Sequence, residues 1–139
     1  MEDINRITHD VIDLSIRIHR DLGPGLLESV YEMVLASRLE AAGYGVRRQH
    51  PVAIDFEGTR FEAAFRVDIL VADRLVVEIK SVERLSKVHA KQVLTYLRLM
   101  KQPVGLLVNF GGETLKEGVR RLVNNYVPSA SSAPLREIK

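Results

Sequence analysis

One mixed α/β domain, a central sheet with helices packed against it, is the fold this sequence predicts. Three observations carry that expectation. Two segments near the N-terminus repeat apolar residues at helical spacing. From Val46 to Lys80 the apolar residues alternate with a two-residue period, as strands require. A further helical segment, Ser86 to Met100, then leads into Val104 to Asn109, an apolar run bounded by proline and glycine. That order reads as a helical crossover into a buried strand, parallel to a neighbour.

The first helix runs from about Glu2 to Asp21. Ile4, Ile7, Val11, Leu14, Ile18 and Leu22 form its apolar stripe. His9 and His19 fall within it as surface or boundary residues; His19 is the better outside candidate for a ligand because it is near the loop that follows. Gly23-Pro24-Gly25 ends this helix, since glycine suits the left-handed position and proline cannot continue the ladder. A second helix follows, from Leu26 or Leu27 to Ala42, with Val30, Val34, Leu35 and Leu39 apolar and Tyr31 bordering them. Glu28 sits in its first turn, where the helix dipole favours a carboxylate, and shares a face with Tyr31.

Val46 to Phe56 is the first strand, with Pro51 arguing for a sheet edge or a bulge. Glu57-Gly58 is a turn signal, and Thr59 to Phe65 the second strand, with Phe61 and Phe65 directed into the core. Arg47, Arg48 and His50 form a basic cluster, either a solvated strand end or a phosphate contact. In the third helix Val93, Leu97 and Met100 mark the core stripe, and Gln92 and Tyr96 are neighbours on another face. Thr114 to Tyr126 fits a helix, or an edge strand over Val119 to Val123. The domain is expected to span residues 1–127, with a loose tail over 128–139.

Composition excludes several chemistries. No cysteine is present, so disulfides, zinc-thiolate centres and a cysteine nucleophile are ruled out, and a reducing cytoplasmic setting fits. No apolar run approaches the ~18 residues of a membrane helix, and the start of the chain is polar and acidic, unlike a signal peptide. A net charge of +2 permits a nucleic-acid partner without identifying one. Neither a Gly-x-Ser-x-Gly elbow nor a nucleotide-binding Gly-Lys-Ser/Thr loop occurs.

The chemistry concentrates between Arg66 and Ser81, which reads as a hairpin turning at Ala72-Asp73-Arg74. If Val71 faces Leu75, then Ile69 faces Val77 and Val67 faces Ile79, all six on one face. The same register sets Asp68 opposite Glu78, with Cβ atoms roughly 4.5–5.5 Å apart. Two carboxylates that close repel, and a divalent cation between them removes the penalty; Mg²⁺ prefers such oxygens. Lys80 emerges on the face of Glu78, where an ammonium could hold a water or a phosphate oxygen. Acid, acid and lysine together suit metal-assisted phosphodiester hydrolysis, although Glu-x-Lys on a strand is also common on solvated faces.

Gly25-Leu26-Leu27-Glu28-Ser29-Val30-Tyr31, with its lead-in from His19, resembles the pattern that names the GxxExxY family. Asp68, Val77 to Ser81, Gln92 to Leu97 and Gly105 to Gly111 follow in that family's order, so the resemblance covers about His9 to Val123. That family is in turn similar to the PD-(D/E)xK nuclease superfamily. The likeness implies a restriction-endonuclease-like α-β-β-β-α-β core. It also implies that Asp68, Glu78 and the main-chain carbonyl of Ile79 ligate Mg²⁺ or Mn²⁺, with Glu28 a further ligand through water. Lys80 would position or deprotonate the attacking water, and Gln92 and Tyr96 would line the active site near the substrate. Asp68 follows Val67 where the superfamily motif has proline. The expected function is a metal-dependent nuclease acting on DNA or RNA. The alternative is an inactive module of the same fold that binds nucleic acid or protein. A domain this small offers little surface to a duplex, which self-association to a homo-oligomer would remedy.

Overall fold

The computed structural model of the chain describes residues 3–124. The expected domain limit at 127 and the tail over 128–139 lie outside the described residues. Helix α1 spans Ile4–Leu22, α2 Glu28–Ala41 and α3 Lys87–Met100. The strands are β1 Val46–Phe56, β2 Thr59–Val71, β3 Leu75–Lys80, β4 Val104–Asn109 and β5 Val119–Val123. They form one sheet in the order β1-β2-β3-β4-β5. Only the β3–β4 pair is parallel, and α3 is the crossover that makes it so. This is the mixed α/β architecture of a restriction-endonuclease-like fold.

Local chemistry sets the boundaries. The Asp3 carboxylate accepts from the Asn5 amide at 3.0 Å and caps α1. Gly23, at φ 77°, ends it. Glu57 and Gly58 both take positive φ, as a two-residue hairpin turn with the twist of its strands demands. The Ser86 amide donates to His89 Nδ1 at 3.1 Å at the start of α3.

Apolar side chains fill both sides of the sheet. On one, α1 and α2 bring Ile7, Val11, Ile18, Tyr31, Leu35 and Leu39 against Ile69, Val77, Ile79 and Leu106. On the other, Val93 and Leu97 of α3 meet Val67, Leu70, Val76 and Leu107. β4 is buried along its whole length, as a strand covered on both faces must be.

Three expectations need correction, and one choice left open by the sequence is decided. Val67 does not share a face with the other five hairpin residues, because β2 is irregular beside it and turns Val67 toward α3. Phe61 is 47% exposed, since β2 runs past the body of the domain there. In α2 the bordering Tyr31 is fully buried and Val30 is exposed, because the stripe facing the sheet is Tyr31, Leu35 and Leu39. The segment after β4 chooses the strand over the helix: β5 pairs antiparallel with β4, behind a short 3-10 turn at Lys116–Gly118.

Candidate active site

The β2–β3 ladder follows the expected register through Val71↔Leu75 and Ile69↔Val77, and then ends. At the next position side chains replace main-chain partners. The Asp68 amide donates to Glu78 Oε2 at 2.6 Å, and the Ile79 amide donates to Asp68 Oδ2 at 2.8 Å. Each carboxylate thus satisfies an amide that a continuing ladder would have satisfied. The cause is visible on the neighbouring strand. Gln49 takes φ 48°, and the β1–β2 register passes from Arg48↔Ile69 to His50↔Val67 without a Gln49–Asp68 pair. The sheet opens at Asp68, and the opening couples the two acids.

Glu78 is 4% exposed. Burial first, and the Asp68 carboxylate second, push its pKa up to about 8; the Asp68 amide and the Lys80 ammonium pull the other way. Lys80 is half-buried, two residues along β3. Tyr96 reaches the same place from α3. Burial and then the fields of Glu78 and Asp68 raise its hydroxyl pKa. Its ring stacks on Phe65, with centroids 4.1 Å apart and planes within 10°. Gln92, one turn earlier, is exposed and makes no side-chain hydrogen bond among the described residues.

Helix α2 supplies an acid that the sequence reading missed. Glu32 is 4% exposed. Its Oε2 accepts from Arg48 Nε at 3.1 Å and its Oε1 from Gln49 Nε2 at 2.7 Å. The same Gln49 nitrogen lies 3.2 Å from Asp68 Oδ1, so Gln49 joins the two carboxylates. Burial raises the Glu32 pKa, with Asp68 adding to it and the bonds from Gln49 and Arg48 opposing. A signal was available: Glu32 falls on the stripe of Leu35, Ala36 and Leu39, where an acid is out of place unless it has partners. Glu28 lies one turn before Glu32 on the same side of α2, exposed in the first helical turn. Arg48 is committed to Glu32, and Arg47 to Asp73 at 3.1 Å.

The rest of the Gly-x-x-Glu-x-x-Tyr stretch positions the start of α2. The Tyr31 hydroxyl donates to the Gly23 carbonyl at 2.5 Å and accepts from the Leu26 amide at 3.1 Å. Its ring stacks on Phe110 at 4.5 Å. Ser81, next to Lys80, donates to the Leu26 carbonyl at 2.7 Å. The loop before α2 is therefore pinned to the end of β3. Asn109 does similar work across the strands' far ends, holding both the amide and the carbonyl of Val82. His19 Nε2 lies 2.9 Å from the Gly112 carbonyl, which makes it a tie between α1 and the loop after β4.

Among the described residues no three His, Cys, Asp or Glu side chains are grouped closely enough to hold an ion. What the chain offers is two coupled carboxylates, one of them buried at a cost that a neighbouring cation would relieve. Two carboxylates fit Mg²⁺ or a similar hard cation, which keeps several waters and takes few protein ligands.

The fold carries two coupled strand acids, with a lysine two residues beyond the second. A family model described as PD-(D/E)XK nuclease superfamily matches residues 5–122, and the chain belongs to that superfamily. Nucleases of this group generally use divalent metal ions. No curated protein matches the chain. Among solved structures, the one titled "Crystal structure of SSO0001" is similar, with 15% identity over 91% of this chain and 81% of that one and a TM-score of 0.42. No helix among the described residues is long and apolar enough to cross a membrane.

Proposed function

We propose that this chain is a divalent-metal-dependent nuclease of the GxxExxY type that hydrolyses phosphodiester bonds in DNA or RNA. The observation that carries this reading is the reciprocal coupling of Asp68 and Glu78 beside Lys80, at the one place where β2 and β3 part. Asp68, Glu78 and the Ile79 carbonyl would hold Mg²⁺ or Mn²⁺, with an α2 acid, Glu28 or Glu32, behind them. The bound ion would offset phosphate charge and acidify a water molecule.

The chain's own groups do the rest. Lys80 orients the attacking water and meets the negative charge that develops on the phosphate. Tyr96 and Gln92 line the approach of the substrate from α3. Glu32 and Gln49 fix the orientation of Asp68. The test is hydrolysis of labelled single- and double-stranded DNA and RNA with Mg²⁺ or Mn²⁺. Lys80→Ala should lose about 10²–10⁴-fold in rate, the usual worth of a positioned proton-transfer group. Wild-type activity no greater than that of Lys80→Ala would refute it.

One observation favours a second reading, a binding module that does no chemistry: an oxygen of each strand acid is already engaged by a main-chain amide. Calorimetry with Mg²⁺ separates the two. Binding abolished by Asp68→Asn supports the nuclease, and no binding supports the module.

A further inference from the structure

The distal half of the β1–β2 hairpin stands away from the domain: residues 59–64 of β2 are all exposed, whereas 67 and 69–71 are buried. This ribbon has two unlike faces. Val52, Ile54 and Phe56 alternate along β1 and pair with Phe65, Phe61 and Thr59 respectively, and cross-strand partners share a face. Three of the chain's four phenylalanines therefore lie on one side. Phe56 is 62% exposed and Phe61 47% exposed, which is costly for rings with no role outside. The opposite side carries Asp55 and Glu62, both paired to Arg60, at 3.2 and 2.9 Å. Arg66, opposite Pro51, falls on that side too, so its charges balance and it carries no aromatic ring.

The aromatic side is continuous with the candidate active site. Phe65 stacks on Tyr96, and the Tyr96 hydroxyl feels the charges of both strand acids. The row Tyr96, Phe65, Phe61, Phe56 thus leads from the acids to the ribbon tip. Helix α3, which supplies Tyr96, contains no Asp or Glu. Its Lys87, Lys91 and Arg98 are exposed on the outward side and enter no salt bridge among the described residues. At about 100° per residue they fall on the flank of α3 away from Tyr96, where Lys87 lines a pocket with Leu107 and Arg120, so the purchase for a ligand on this side is the rings themselves.

From this juxtaposition we infer that the aromatic face of the ribbon is a stacking platform for the unpaired bases of a single-stranded polynucleotide, which the row of rings leads to the strand acids. Every base presents a π-face, and a row of rings can hold a strand without reading its sequence. A duplex keeps its bases stacked on one another and cannot use the rings. The inference rests on the nuclease reading for its purpose, since it names the substrate class of that site, but the binding is measurable without catalysis.

The experiment is fluorescence anisotropy of the full chain in EDTA, with labelled oligothymidylate, oligouridylate and a blunt DNA duplex as probes. The single strands should bind at least about tenfold tighter than the duplex. Phe56→Ala and Phe61→Ala, at exposed positions that leave the core intact, should each weaken strand binding by about fivefold or more and leave duplex binding unchanged. Equal affinity for strand and duplex, or Phe56→Ala/Phe61→Ala binding like wild type, overturns the platform. So does light scattering that shows a dimer which those substitutions dissociate, because a second copy then covers the rings. Strand binding without cleavage in Mg²⁺ or Mn²⁺ defeats the nuclease reading and leaves the platform standing; cleavage with ring-independent binding does the reverse.

Discussion

Raising the pH of the metal-free chain should destabilise it, and Glu78 should be the main cause. Its carboxyl is buried beside Asp68, and its pKa stands at about 8 against an ordinary value of 4.5. A group whose folded pKa is raised binds its proton more tightly in the folded state. Stability is therefore whole below the ordinary value and is lost as pH climbs through about 8. At about 1.4 kcal/mol for each pH unit between those two values, the loss reaches about 5 kcal/mol. That is a large part of the 5–15 kcal/mol that holds a typical domain together. The raised pKa of Glu32 acts in the same sense. The assay is urea denaturation in EDTA at a series of pH values across this window. Glu78→Gln should flatten most of the slope and be the more stable chain at the alkaline end. Saturating Mg²⁺ should restore stability to wild type there, by about 2.7 kcal/mol at a hundredfold excess over Kd. A wild-type profile that is level or rises with pH, or a slope undiminished in Glu78→Gln, would refute the electrostatic argument.

Two further outcomes are expected. Glu32→Gln should weaken Mg²⁺ binding, read by calorimetry, by about 10–100-fold, the usual effect of losing a partner that orients a ligand. Glu28→Gln should change it less, and the reverse ranking would show that the exposed acid, not the buried one, serves the site. Tyr31→Phe removes both bonds that hold the loop at Gly23 and Leu26 and should cost about 1–3 kcal/mol in chemical denaturation; an unchanged midpoint would mean that stacking on Phe110 alone fixes the loop.

Most of the fold was legible because its periodicities are unmixed. The α1 stripe, the two-residue period from Ile69 to Ile79 and the apolar run of β4 each allow a single reading. Asp68, Glu78 and Lys80 were legible as a group because the three-residue turn and the alternation fixed the register between Ile69 and Val77 independently. Three things escaped. The break at Asp68 depends on Gln49, a residue with no local signal for positive φ. Glu32 was hidden because a carboxylate in a helix reads as surface until its partners, Arg48 and Gln49, are brought in from a strand sixteen and seventeen residues away. Phe61 was sent inward because alternation tells which side chains share a face, not how far a hairpin extends beyond the layer that covers it.

The opening between β2 and β3 has a consequence for how this protein should be mutated. Asp68 and Glu78 each act as a rivet for the other's strand, so truncating either to alanine strands an amide as well as deleting a charge. A dead alanine variant would report a loosened sheet as readily as lost chemistry. Asparagine at 68 and glutamine at 78 keep an oxygen where the amide needs one, and only those isosteres separate the architectural duty of these side chains from the chemical one.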